Sequence, residues 1–325
     1  MTDIVITWVD SNDPNWVDEY NKYVPAGKKK IDADISKRYN ENGLLKYVLR
    51  SIEANCKWVN KIYLVTCGHL PNWINITDNL IHVKHEDFIP EQFLPTFNSA
   101  TINLNLHNIN GLEENFIYAN DDMIFLSKTK EEDFFRKGLP CDIAIQDVNG
   151  SYKNDYFYHM ILNDMTKLNT LYKKKAVIKK HPFKWFNFKY GIKGFVKNCS
   201  LSRFALFSGF YEPHSPAPYK KSEFNKIWET FPQDMALSCQ EKFRSPYCNT
   251  ENLMRWSAIC SGNFHPYSRH KNSYYSFMND SKLLSIINKK KYKMLCINYD
   301  STPEKNKAVL EALEKVFPNK SKYEK

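Results

Sequence analysis

The sequence predicts an α/β protein with a mixed, mostly parallel sheet flanked by helices. Three stretches carry that prediction. Asp3 to Asp10 (DIVITWVD) is a β-branched run that ends in an acid. Asn42 to Cys56 places Leu45, Val48, Leu49 and Ile52 at helical spacing and leads into a strand-like Lys61 to Thr66. Asn115 to Asp122 (NFIYANDD) is a second apolar strand that finishes in acids. Strand and helix in alternation are the signature of a parallel sheet with helices on its faces.

In chain order, the first strand gives way to Ser11-Asn12-Asp13-Pro14, a turn signal. The helix of residues 42–56 and the strand of 61–66 follow. Asn98 to His107 is expected to be helical and to deliver the chain to the strand of 115–122. From Leu171 to Phe210, lysines interleave with Trp185, Phe186, Phe188 and Tyr190 without a clear period, which predicts an insertion or exposed face. Residues 223–243 read as one helix with Phe224, Ile227, Trp228 and Phe231 on one side, and Lys293 to Asn298 as a late strand. Pro303 to Phe317 carries an apolar stripe of Val309, Leu310, Leu313, Val316 and Phe317, and is expected to cap the domain. The organisation implied is a first α/β half over residues 1–164, a basic aromatic segment over 165–211, a second half completing the domain over 212–300, and a capping helix and tail over 301–325.

Charge sharpens that division. The 325 residues carry a formal net charge of +10. Residues 165–211 hold ten Lys, one Arg and no acid, so the rest of the chain is close to neutral. A histone-like coat of distributed charge is excluded. No RNP, KH or zinc-finger pattern accompanies the basic segment, so a phosphate-bearing acceptor or an anionic membrane surface ranks above nucleic acid. Lys173, Lys174, Lys175 and Trp185 are its candidate contacts. The eight cysteines show no CxxC or zinc-site spacing and read as reduced, packed thiols. No apolar run reaches the length of a spanning helix and the polar start lacks a signal-peptide core, so a cytoplasmic protein is expected.

Open α/β sheets bind ligands outside the carboxyl ends of their strands, and two strands here end in carboxylates. A nucleotide pocket is the corresponding expectation. Asn120-Asp121-Asp122 could hold a hard divalent cation against a diphosphate; an acidic turn is the plainer reading. Asp10, beside Trp8, could touch base, ribose or metal, or simply form a turn. Arg38 and Arg50 suit phosphate, though a helix-surface ion pair would satisfy Arg50 equally. His214, between prolines in Glu212-Pro213-His214-Ser215-Pro216, could act as base or phosphate donor or be an ordinary loop histidine. Arg244 in Lys242-Phe243-Arg244-Ser245-Pro246 has similar standing.

Together these blocks resemble the Stealth family of sugar-phosphate transferases, which includes bacterial capsule and cell-wall glycan enzymes and the lysosomal-targeting GlcNAc-1-phosphotransferase. The resemblance runs through Ile4 to Asp13, Arg38 to Glu53, Trp58 to Asn75, Leu94 to Ser99, Leu106-His107, Gly111-Leu112 and Phe116 to Asp122. It continues more weakly through Pro213 to Pro216, Phe243 to Pro246, and Cys296-Ile297-Asn298. It implies a nucleotide-diphospho-sugar-transferase-like (GT-A-like) core and transfer of a hexose-1-phosphate or N-acetylhexosamine-1-phosphate from a UDP-sugar to a sugar hydroxyl, with release of UMP. It further implies Mg²⁺ or Mn²⁺ at Asp121 and Asp122, catalytic roles for Asn120, Asp121, His214 and Arg244, and donor contacts from Trp8, Asp10, Arg38, Arg50 and Asn298. The implied acceptor is a lipid-linked or polysaccharide glycan, with peripheral membrane contact. The chain departs from the family pattern where acids are expected, carrying Leu44, Asn103, Cys248 and Tyr299 instead. A metal-dependent glycosyltransferase releasing UDP, and a non-catalytic membrane or nucleic-acid module, remain the alternatives.

Overall fold

A computed structural model describes residues 1–24, 39, 41–150, 156–298 and 303–325; Arg38 and Tyr299 lie outside them. The strands are β1 (Thr2–Thr7), β2 (Ile62–Thr66), β3 (Leu80–Lys84), β4 (Asn115–Asn120), β5 (Met123–Phe125), β6 (Phe135–Arg136), β7 (Leu139–Asp142), β8 (Ala217–Lys220), β9 (His265–Pro266), β10 (Ser273–Phe277) and β11 (Met294–Asn298). The main sheet has the order β3-β2-β1-β4-β8. Its first four strands are parallel, and β8 closes one edge antiparallel to β4. Pro218 lies in that edge strand, where a missing N–H leaves no inner ladder broken. A smaller sheet, β10-β11-β5, joins parallel β10 and β11 to antiparallel β5. A third joins β6, β7 and β9.

Strand β1 is central, which explains its unbroken apolar run: Ile4, Val5 and Ile6 are all fully buried. The two-residue period sends Ile4 and Ile6 to one face and Val5 to the other. Ile4 and Ile6 pack with Val48, Leu49, Ile52, Leu295 and Leu313. Val5 packs with Phe116, Phe224, Trp185 and Trp256 in the second core. The expected α/β class therefore holds, with apolar layers on both faces of the main sheet.

The helix Leu44–Asn55 starts after Gly43, whose φ of +78° is left-handed and whose added Cβ would lie 3.3 Å from Leu310. Its Arg50 does not face a donor pocket. The guanidinium is buried, donating to both carboxylate oxygens of Glu324 at 2.8 and 2.9 Å, to Glu314 at 2.9 Å and to the Phe317 carbonyl at 2.8 Å. Four of its five N–H donors go to the C-terminal segment, so Arg50 is a tether and not the phosphate contact expected of it. The terminal helix, Pro303–Val316, packs on this helix and on Leu283–Lys289.

Asn12-Asp13-Pro14 proves to be a helix start. Asp13 accepts from the Trp16 N–H at 2.8 Å, and Pro14 opens the helix Pro14–Tyr23. The single helix expected over 223–243 is two, Lys221–Thr230 and Pro232–Gln240, because Pro232 cannot continue the first. The basic segment is largely helical. It contains the end of Tyr156–Leu171, then Lys174–Lys180, Pro182–Trp185 and Gly191–Leu201. Trp185 is fully buried and stacks on Phe207, so it is core and not an acceptor contact. Lys174 is buried too, donating to the carbonyls of Leu201 and Leu206 at 2.6 and 3.0 Å, and burial pulls its ammonium down to about 8. Lys173 and Lys175 remain exposed.

Candidate active site

The site lies where the carboxyl ends of β1 and β4 meet the smaller sheet. Thr7, the last residue of β1, is in register with Asn120, the last of β4, so Trp8 to Asp10 and Asn120 to Asp122 leave the sheet side by side. The Thr7 hydroxyl and the Tyr118 phenol share a hydrogen bond of 3.1 Å behind them. Chain reversal at Asp121-Asp122 feeds β5, whose Met123 pairs with Cys296 of β11. The Ile297 N–H donates to the Asp122 carbonyl at 3.0 Å, and the buried Cys296 thiol lies beside the Asp122 carboxylate. Two sheets thus fix one acid pair.

The electrostatics of the pair are unfavourable by themselves. Burial pushes the Asp121 carboxyl well up, and the neighbouring charges of Asp122 and Glu41 push it further. Asp122 is raised by burial and partly restored by His214 and the Cys296 thiol. Its Oδ1 is buried with no hydrogen-bond partner. An anionic oxygen left so, among other acids, fits a cation. Among the described residues, no three His, Cys, Asp or Glu side chains converge as a complete ligand set. The pair would therefore supply part of a coordination shell, as is usual where Mg²⁺ retains waters and substrate phosphate oxygens.

The second half of the chain closes the site from the other side. His214 has a φ of +45°, a strained turn for a residue with a Cβ, and its N–H donates to Glu212 at 2.9 Å. Glu212 is held by buried Arg255, which also grips Asp142 through two bonds of 2.9 and 3.0 Å. The His214 ring stands edge-on to Tyr275, centroids 5.1 Å apart, and the Tyr275 hydroxyl accepts from Asn298 Nδ2 at 2.7 Å. His214, Asn298, Asp122 and Cys296 are thus gathered from distant positions in the sequence.

On the β1 side, Asp10 caps its own turn, accepting from the Asn12 backbone and side chain at 2.9 and 2.8 Å. Its N–H donates to His69 Nε2 at 3.0 Å, and the Trp8 ring lies edge-on to that histidine. Arg244 donates to Ser99 Oγ at 2.9 Å. The neighbouring Phe243 stacks on Phe97, and Trp16 and Tyr20 of the helix after Asp10 complete the aromatic cluster. Arg244 therefore sits on the rim tied to the Asp10 loop, its guanidinium bonded to a hydroxyl and not to the acid pair.

Two of the departures from the family pattern have another acid close by. Leu44 is core, yet Glu41, three residues earlier, accepts from the Gly43 N–H at 2.9 Å and lies near enough to Asp10 and Asp121 to repel both. Sequence reading passed over Glu41, although an acid just ahead of a glycine that starts a helix marked it. Asn103 donates to Glu251 at 3.1 Å, so that acid reaches the neighbourhood of Tyr118. Cys248 is buried against Asn98 and takes no such role. Tyr275 also went unnoticed, and nothing in its local sequence points to it.

Comparison with known proteins gives the chain's relatives. Residues 38–141 match Stealth protein CR2, conserved region 2. The chain is 36% identical to the capsular polysaccharide phosphotransferase WcwK of Streptococcus pneumoniae, over 99% of this chain and 98% of that protein. It is 33% identical to the exopolysaccharide phosphotransferase cps2G of Lactiplantibacillus plantarum, over 99% and 96%. It is 31% identical to the receptor polysaccharide phosphotransferase WefC of Streptococcus gordonii, over 99% and 98%. The apo form of the glycosyltransferase GlyE from Streptococcus pneumoniae aligns at a TM-score of 0.24 and 11% identity over 96% of this chain and 84% of that one, too low to bear on the fold. An α/β enzyme of the phosphotransferase class is what these findings define. The chain belongs to the Stealth family.

Proposed function

We propose that the protein transfers a hexose-1-phosphate or N-acetylhexosamine-1-phosphate from a UDP-sugar to a hydroxyl of a surface polysaccharide, on a GT-A-like core. The observation that supports this best is the Asp121–Asp122 pair at the end of β4, with an unpartnered Asp122 Oδ1 and His214 facing it. The acceptor hydroxyl attacks the β-phosphorus, the bond from that phosphorus to the bridging oxygen breaks, and UMP leaves with the oxygen. His214 takes the hydroxyl proton. Arg244 meets the charge that builds on the equatorial oxygens. Asp121 and Asp122 would hold Mg²⁺ or Mn²⁺, which supplies neutralisation of the donor diphosphate. Trp8, Asp10 and Asn298 border the nucleotide, and the relatives' names point to a capsular or exopolysaccharide acceptor.

The test is the nucleotide product. Incubation with a panel of UDP-sugars, acceptor glycan and Mg²⁺ is expected to release UMP. Asp122→Asn should reduce turnover by about 10²-fold or more while leaving the protein folded, in line with loss of a preorganised charge centre. Release of UDP instead would make the protein a glycosyltransferase and overturn the proposal. Full activity in Asp122→Asn would remove the cation site.

A further inference from the structure

We infer that the helix Gly191–Leu201, with the turn before it, docks the protein on an anionic lipid bilayer. This helix is inverted. Its inward face is Gly194 and Asn198, one turn apart. Asn198 is fully buried, donating to the carbonyls of Ala144 and Trp185 at 2.7 and 2.6 Å and accepting from the Gln146 N–H at 2.8 Å. At Gly194 an added Cβ would lie 2.7 Å from Ile145, so the contact is backbone-close. A surface helix ordinarily turns its apolar stripe to the core and its polar side to water. Here polar anchoring sets the opposite orientation. Ile192 and Val196, half a turn round from Gly194, are 84% and 54% exposed. Phe188 and Phe183 just ahead are 93% and 85% exposed.

Exposed aromatic and aliphatic side chains rimmed by cations, on an element fixed rigidly by its other face, match an interfacial helix and not a solvated one. Charge selects the occupant. Residues 165–211 contain no acid, and exposed Lys193 and Arg203 border the apolar stripe. No helix among the described residues is long and apolar enough to cross a membrane, so the contact is with the surface of the bilayer. This reassigns the membrane contact from the Lys173–Lys175 run, one of whose members is buried, and is independent of the donor chemistry.

The experiment is sedimentation of the full chain with vesicles of phosphatidylcholine, with and without phosphatidylglycerol. Binding is expected to the mixed vesicles, weakening with salt. The double variant Phe188→Asp/Ile192→Asp is expected to bind about tenfold or more weakly, with an unchanged melting temperature, because both side chains are outside the core. Wild-type binding by that variant overturns the proposal. Equal binding to vesicles lacking phosphatidylglycerol overturns the anionic assignment. Light scattering of the lipid-free protein closes the remaining route: a dimer that the same variant dissolves would give the face to a second copy and overturn the lipid reading.

Discussion

Asp121 sits beside two further acids, Asp122 and Glu41, and its carboxyl is raised by burial and by both of them. If the pair holds a divalent cation as proposed, protons would compete with it, and cation affinity would rise with pH through the raised carboxylate range. Glu41 makes that competition measurable. In Glu41→Gln one repelling charge is gone, so Asp121 ionises more readily and the acidic limb of the kcat/KM profile moves to lower pH. An unmoved limb would mean that Glu41 does not act on the acid pair. Cys296 belongs to the same scale. Its thiol is raised well above the usual range by burial and by Asp122, which keeps it protonated and not a nucleophile.

At the scale of elements, the helix Leu44–Asn55 is tethered by one arginine to two acids in different settings. The Glu324 side chain is 2% exposed and that of Glu314 47%. Removing a partner from a buried pair leaves an uncompensated charge and costs about 3–5 kcal/mol, whereas exposed pairs contribute about 1 kcal/mol or less. Glu324→Ala is therefore expected to lower the denaturation midpoint markedly and Glu314→Ala little; comparable losses would contradict the tether. Similar logic explains why the basic segment resisted periodicity. Its last helix keeps Gly194 and Asn198 inside, so the pattern that marks a helix in sequence points outward.

Across the whole molecule, the two halves are joined at Arg255, which grips Asp142 from β7 and Glu212 from the His214 loop. Arg255→Met would bury Asp142 without its partner and free the Glu212 turn. About 3–5 kcal/mol of stability should be lost, read by chemical denaturation, and kcat should fall in the folded fraction because His214 loses its anchored loop. Unchanged kcat would detach this network from catalysis.

Local signals made the first half of the fold legible. β1, β2, β4 and the helix Leu44–Asn55 lie within a few residues of their expected bounds, because burial on both faces writes continuous apolar runs and a helix against a sheet writes a 3.6-residue stripe. The family was legible for the same reason, its motifs being short, contiguous blocks. Partners distant in sequence were not. Arg50 looked like a phosphate clamp until Glu324, 274 positions away, took its guanidinium. Lys174 and Trp185 looked like surface contacts until folding enclosed them, and His214 met Tyr275 and Asp122 only through the packing of the second sheet. Sequence determined what each segment could form; which charges face the ligand and which hold the protein together was decided by tertiary structure, since burial and ion pairing depend on neighbours the local chain does not contain.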